Sequence, residues 1–237
     1  MNIFIVPSWY PSKLSPENGT FFRDQAQILA KYGDDVTVIV DLVHSFKNLL
    51  RVRRFSTIKF QPENLGGVIE YRQETLNWFP KRPQKTYFSQ RRRLIKLLER
   101  AIAERGRPDL VIAHSSLFAG AELGRWLKDN DIPMIVTEHL MHFLKPEMLT
   151  EFYKDCIHEA YCYADRIVAT SSRLRDSIAV QFPEFPTKIV VVPNPVDISA
   201  FSPASEGKKA LKPFVFLCVA LLRPEKRLDL LLRAFAT

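Results

Sequence analysis

The chain has 237 residues and a net charge of +8, with 46% hydrophobic and 25% charged residues and only 8 glycines. These proportions exclude a disordered chain and allow one large domain, or a domain and part of a second, with a sizeable core. The three cysteines, Cys156, Cys162 and Cys218, have no zinc spacing, and no run reaches about 18 apolar residues, so a disulfide framework, a zinc module and a transmembrane helix are excluded as readings.

In chain order, Asn2–Val6 reads as a first strand. Its apolar run lacks the basic start and the length of a signal peptide. Thr20–Tyr32 reads as a helix with Phe21, Phe22, Ala26, Leu29 and Ala30 on one face. The β-branched run Asp35–Val40 reads as a buried strand and Val68–Arg72 as a weaker one. Thr86–Arg105 is an amphipathic helix, with Leu94, Leu98 and Ile102 opposite its arginines. Strands follow at Asp109–Ala113, Pro133–Thr137, Arg166–Thr170, Ile189–Val192 and Val215–Ala220. Helices fall at Phe118–Asn130, Lys145–Tyr163, Arg173–Gln181 and from about Glu225 to the end.

Strands and helices alternating through short connections predict an α/β fold: a doubly wound, mostly parallel sheet with helices on both faces. The expected domain layout is 1–197 as a Rossmann-like domain and 198–212, richer in Pro, Ser, Gly and Lys, as a linker. Residues 213–237 would then open a second domain. A lone strand and helix cannot bury a core of their own.

Charge is uneven. From Lys81 to Arg107 there are ten Lys and Arg against Glu99 and Glu104, which equals the net charge of the whole chain. Lys47, Arg51, Arg53, Arg54 and Lys59 form a second cluster. A solvated helix face explains the first stretch; so does a surface for anionic lipid, nucleic acid or a phosphorylated substrate.

Ligands of open α/β sheets sit beyond the carboxyl ends of the strands. There the sequence places Trp9, Tyr10, Asn18, Gly19 and Thr20, then His114, then Glu138 and His139, and later Asn194. Gly19 at a helix start lets an anion approach backbone N–H groups; a plain turn reads equally well. No dinucleotide or Walker fingerprint is present. His114 could hydrogen-bond a sugar or move a proton, or simply bond loop backbone. His139 has the same two readings, and Glu138 could act as a cap. Trp9 and Tyr10 could stack on a sugar or pack the loop. Arg223, Lys226 and Arg227 could clamp a diphosphate or form a charged turn.

Six segments in order resemble glycosyltransferase family 4, the retaining GT-B enzymes. They are Ile5–Phe22 with Leu29–Ile39, Pro108–Ser115, Pro133–His139, Ala164–Ser171, Ile189–Asp197 with Phe201, and Glu225–Phe235. The resemblance implies the N-terminal domain of a GT-B fold with a truncated C-terminal domain. It implies a nucleotide-diphosphate sugar donor, retention at the anomeric carbon, and no cofactor or metal. His114 would be catalytic, facing the transferred sugar. Gly19, Thr20, Arg223 and Lys226 would bind the donor, and Trp9, Tyr10, Asn18, Glu138 and His139 would face the acceptor.

Expected partners are a glycan or lipid-linked acceptor and an anionic membrane met through Lys81–Arg107, with no nucleic acid. The expected setting is cytoplasmic, peripheral at the inner membrane face, in surface polysaccharide or glycolipid synthesis. The chain departs from the family pattern at Ala220-Leu221, where Gly-Arg is usual, and at Asn194-Pro195, where Asn-Gly is usual. The family's paired glutamates lie beyond Thr237, so the 237 residues alone are expected to be inactive. A non-catalytic basic binding module and a GT-B sugar-nucleotide epimerase are the alternative readings.

Overall fold

The computed structural model describes residues 1–48, 63–139, 143, 149–196, 198, 215–220, 222 and 224–236. The chain divides into two units, Met1–Val196 and Asp197–Thr237.

The first unit is built on an eight-stranded sheet. Its strands are β1 (Asn2–Pro7), β2 (Asp35–His44), β3 (Glu63–Leu65), β4 (Val68–Leu76), β5 (Leu110–His114), β6 (Met134–Glu138), β7 (Arg166–Ala169) and β8 (Ile189–Val191). The order is β3-β4-β2-β1-β5-β6-β7-β8. Strands β4 to β8 in that order are all parallel, and β3 pairs antiparallel with β4 at the edge. The helices are α1 (Thr20–Lys31), α2 (Pro83–Arg105), α3 (Ala121–Asp129), α4 (Glu151–Tyr163) and α5 (Ser172–Gln181). This is the mostly parallel, doubly wound α/β architecture that the alternation of elements predicts.

Strand β1 lies inside the sheet because both of its faces are apolar. Ile3 and Ile5 pack with Phe22 and Ala26 of α1, while Phe4 and Val6 join the core around Leu94 and Leu98 of α2. Truncating Leu98, which is fully buried, to Ala costs about 2–5 kcal/mol. From β1 the chain steps one way through α1 to β2. From β5 it steps the other way through α3, α4 and α5 to β8. Right-handed crossovers in opposite directions place their helices on opposite faces. Accordingly α1 shares one core cluster with β1 and β2, and α2 to α5 share the other.

Several boundaries differ from the sequence expectation. Strands β2 and β4 run on to His44 and Leu76, because polar side chains pair at their ends: His44 Nε2 meets Glu74 at 2.9 Å and Arg72 bridges Glu70 and Glu74. The helix expected at Phe118–Asn130 is present as α3 but starts at Ala121, after a wide turn, Ser116–Gly120. Of the helix expected over Lys145–Tyr163, residues 145–148 lie outside the described residues, and α4 begins at Glu151, where the Thr150 side chain accepts from Tyr153 N–H. The short strand β3 had no counterpart in the sequence reading.

In the second unit, Val215–Ala220 does not form the expected strand. Among the described residues it has no strand to pair with, and a lone strand leaves its backbone groups unpaired. A 3-10 turn, Pro224–Lys226, precedes α6 (Leu228–Phe235), whose Leu230, Leu232 and Phe235 are exposed. Arg51, Arg53, Arg54, Lys59, Leu221, Arg223 and most of the expected linker lie outside the described residues.

The basic stretch on α2 is partly committed within the fold. Arg93 pairs with the buried Asp41 at 3.1 Å, Arg100 with Glu104 at 2.8 Å, and Arg105 with Asp35. Among the described residues no helix is long and apolar enough to cross a membrane.

Candidate functional site at the sheet switch point

Strands β1 and β5 are neighbours whose onward connections run in opposite directions, so a crevice forms beyond their carboxyl ends. Ser8 closes its floor. The Ser8 side chain lies 2.8 Å from His114 O and 2.6 Å from Leu117 O, and it accepts from Ala119 N–H at 3.2 Å. One serine thus ties the end of β1 to the turn after β5.

Above it lies the loop that enters α1. Gly19 caps this helix in the left-handed conformation, φ 76°, with no side-chain cap. A Cβ there would sit 2.9 Å from Trp9 O and 3.1 Å from Phe22 Cδ2. Both the dihedral and the space therefore require glycine. The first-turn N–H groups of α1 are left without a side-chain acceptor at the crevice.

A cluster of rings packs at this sheet edge. Phe22 packs on Trp9 at 5.2 Å and on His114 at 4.4 Å between centroids, and His139 lies 5.0 Å from Phe22. His114 Nδ1 and His139 Nε2 are 3.2 Å apart. Burial, reinforced by the neighbouring His139, holds the His114 imidazole well below its usual pKa, and burial brings His139 to about 4. Both rings are neutral near pH 7. His114 Nε2 is buried without a hydrogen-bond partner among the described residues.

Glu138 points to the opposite side of β6. It is fully buried and accepts from Ser116 N–H at 3.0 Å, Tyr161 O–H at 2.9 Å and Ser115 O–H at 3.4 Å. Burial raises its pKa and these donors oppose the rise. They hold a turn in which Ser115 and Phe118 take φ of 81° and 70°, sparsely populated values for residues with side chains. Nearby, Glu122 at the start of α3 is buried with neither oxygen partnered among the described residues. Burial and the Asp41 charge raise its pKa well above the carboxylate range.

The structure thus brings together Trp9, Gly19, His114 and His139, and Thr20 follows Gly19 as the first residue of α1. Asn18 is exposed on the loop. Tyr10 is a core side chain with the Arg72 guanidinium 5.5 Å above its ring, so it is no exposed stacking surface. Glu138 faces Tyr161 rather than the crevice. Lys226 is exposed in the second unit, and Arg223 lies outside the described residues. Ser115 follows His114 at the strand end as the sequence places it, whereas Ser8 and Tyr161 carry no expectation from the sequence. A serine directly after each of two adjacent strands was the available signal, whereas nothing local marks Tyr161. Among the described residues no group of His, Cys, Asp and Glu is arranged to hold a metal ion.

The chain is similar to several known proteins. The chain is 28% identical over 144 residues to the candidate teichuronic acid biosynthesis glycosyltransferase TuaC of Bacillus subtilis, covering 59% of this chain and 36% of that protein. It is 30% identical over 145 residues to the D-inositol 3-phosphate glycosyltransferase of Kineococcus radiotolerans, covering 53% and 32%. Among solved structures, Anabaena Alr3699/HepE in complex with UDP superposes with a TM-score of 0.52 at 14% identity, over 86% of this chain and 47% of that one. Arabidopsis thaliana UGT89C1 complexed with UDP-L-rhamnose gives 0.50 at 13% identity, over 86% and 55%. The alignments to the two curated relatives thus span about a third of each. The model of Glycosyltransferase Family 4 matches residues 19–200, most of the chain, including Gly19, His114 and His139. The chain belongs to glycosyltransferase family 4.

Proposed function

We propose that this chain supplies the acceptor-side part of a retaining glycosyltransferase. It moves a sugar from a nucleotide-diphosphate donor to a glycan or lipid-linked acceptor, without a metal. The setting is surface polysaccharide or glycolipid synthesis at the inner face of the membrane, with the basic Lys81–Arg107 stretch toward anionic lipid. One observation carries the reading. In a family 4 chain, the switch-point crevice combines a helix start at Gly19 with no side-chain cap and a buried nitrogen on His114 that has no hydrogen-bond partner among the described residues.

The α1 N–H groups behind Gly19 match the negative charge of a diphosphate. Thr20 adds a hydroxyl. His114 Nε2, neutral and held by His139, is the catalytic atom that touches the transferred sugar. Because Phe22 packs against His114, the sugar reaches this nitrogen once the Phe22 ring turns aside. Trp9, Asn18 and His139 border the acceptor. The relatives agree in kind: one is named for teichuronic acid biosynthesis, one for glycosyl transfer to D-inositol 3-phosphate, and HepE holds UDP.

The test is transfer by the full product of the gene, assayed against a panel of labelled UDP- and GDP-sugars with membrane extract as acceptor. His114→Ala should lower kcat by about a hundredfold or more with the fold intact. Full activity in that variant removes His114 from the chemistry. Conversion of donor without any acceptor would instead mark an epimerase.

A further inference from the structure

The corner between β4 and α2 has a composition that the crevice does not use. No carboxylate occurs from Thr75 to Leu98, a stretch with seven Lys and Arg. The backbone there is compact: Asn77 N–H donates to His44 O at 2.8 Å, Arg82 N–H to Phe79 O at 3.0 Å, and the Thr86 hydroxyl reaches both Asn77 Oδ1 and Phe79 O at 3.1 Å. These bonds bring the end of β2, the end of β4 and the first turn of α2 into one surface.

That surface exposes aromatic rings. Trp78 is 64% exposed and Phe88 57%, and Phe46 and Phe79 are exposed as well. Phe46 meets Trp78 edge to face, with centroids 5.3 Å apart. Among them stand Lys47, Lys81, Arg82 and Lys85, all exposed and none in an ion pair among the described residues. On α2, the spacing of Lys85, Phe88, Arg92 and Lys96 puts them on one exposed stripe.

We propose that this corner, with Trp78 at its centre, docks on an anionic lipid bilayer, the rings entering the headgroup boundary and the cations meeting lipid phosphates. Trp and Phe beside Lys and Arg is the combination that partitions into a membrane interface. Single-stranded nucleic acid also uses rings and cations. The edge-to-face packing of Phe46 and Trp78, however, occupies a ring face on which a base would stack. The proposal deepens the membrane contact in the function above and moves it. Arg93, Arg100 and Arg105 are held by carboxylates, so the contact falls at the start of α2 rather than along its whole length.

The experiment is co-sedimentation of the intact 237-residue chain with vesicles of phosphatidylglycerol and phosphatidylcholine in equal parts, and with phosphatidylcholine alone. Binding to the anionic vesicles only is expected. It should weaken roughly fivefold for each cation removed in the Lys81→Ser, Arg82→Ser, Lys85→Ser series. Brominated acyl chains should quench the tryptophan fluorescence of the bound chain, and Trp78→Phe should remove most of that quenching while leaving the circular dichroism unchanged. No binding to anionic vesicles, or binding that ignores both the serine series and Trp78→Phe, overturns the proposal. So does tighter binding of a single-stranded oligonucleotide through the same residues. Neither donor nor acceptor is present, so a transferase assay in detergent fails or succeeds independently of this result.

Discussion

His114 Nδ1 and His139 Nε2 lie 3.2 Å apart at the ends of adjacent parallel strands, with no carboxylate between them. Two neutral imidazoles share one proton along this contact; protonating either ring places a charge inside the core, and protonating both would place like charges at that distance. The folded state therefore resists protonation that the unfolded chain accepts. Stability is fully present above the unfolded pKa of about 6.5 and is lost as pH falls through about 4, the folded value for His139. Urea midpoints should decline through that window, by an amount on the order of 3 kcal/mol for this residue. In His139→Phe the decline should shrink.

Gly19→Ala tests the loop that enters α1. The new methyl meets a carbonyl oxygen rather than a yielding side chain, at a positive φ. A loss of about 2 kcal/mol or more in urea unfolding is expected, with a shift in Trp9 emission. An unchanged midpoint would mean that the loop relaxes freely.

Arg93→Ala should cost about 3–5 kcal/mol, because it leaves Asp41, whose side chain is only 1% exposed, with Gln73 Nε2 at 3.4 Å in place of an ion pair, next to Glu122, which has no hydrogen-bond partner among the described residues. The double variant Arg93→Ala with Asp41→Asn should recover part of the loss. If it does not, the pair is incidental to the fold.

Tyr161→Phe removes one donor from Glu138 and should cost about 1 kcal/mol; Glu138→Ala strands both Ser116 N–H and Tyr161 O–H and should cost about 3 kcal/mol. Comparing their thermal midpoints separates a clamp on the Ser115–Gly120 turn from a carboxylate that only fills space.

What the sequence made legible was the periodic part of the molecule. The runs Ile3–Val6 and Val36–Val40 are apolar on both faces, so burial within a parallel sheet could be read from them directly. Gly19, His114 and His139 could be read as strand-end residues because chain order alone puts them at one edge. Features made by contact across the chain were hidden. Asp41 finds Arg93 52 residues away, and Glu138 turns to Tyr161 because strand parity points it opposite His139. Phe118–Gly120 reads as the start of a helix by hydrophobicity, yet Leu117 and Phe118 leave helical geometry in a turn held by Ser8 and Glu138. Val215–Ala220 carries strand propensity, but among the described residues it has no neighbouring strand to pair with.

The place of β1 inside the sheet has a consequence for synthesis. Ile3 pairs with Val36 on one side and with Leu110 on the other. At roughly 5–20 residues per second, the ribosome delivers the second partner about 5–20 seconds after the strand itself. Throughout that interval an apolar strand offers one unpaired edge, the kind of edge on which chains aggregate. Any condition that slows translation before β5 lengthens the exposure. The yield of soluble protein should therefore depend on codon choice between residues 36 and 114 more than on codon choice after them.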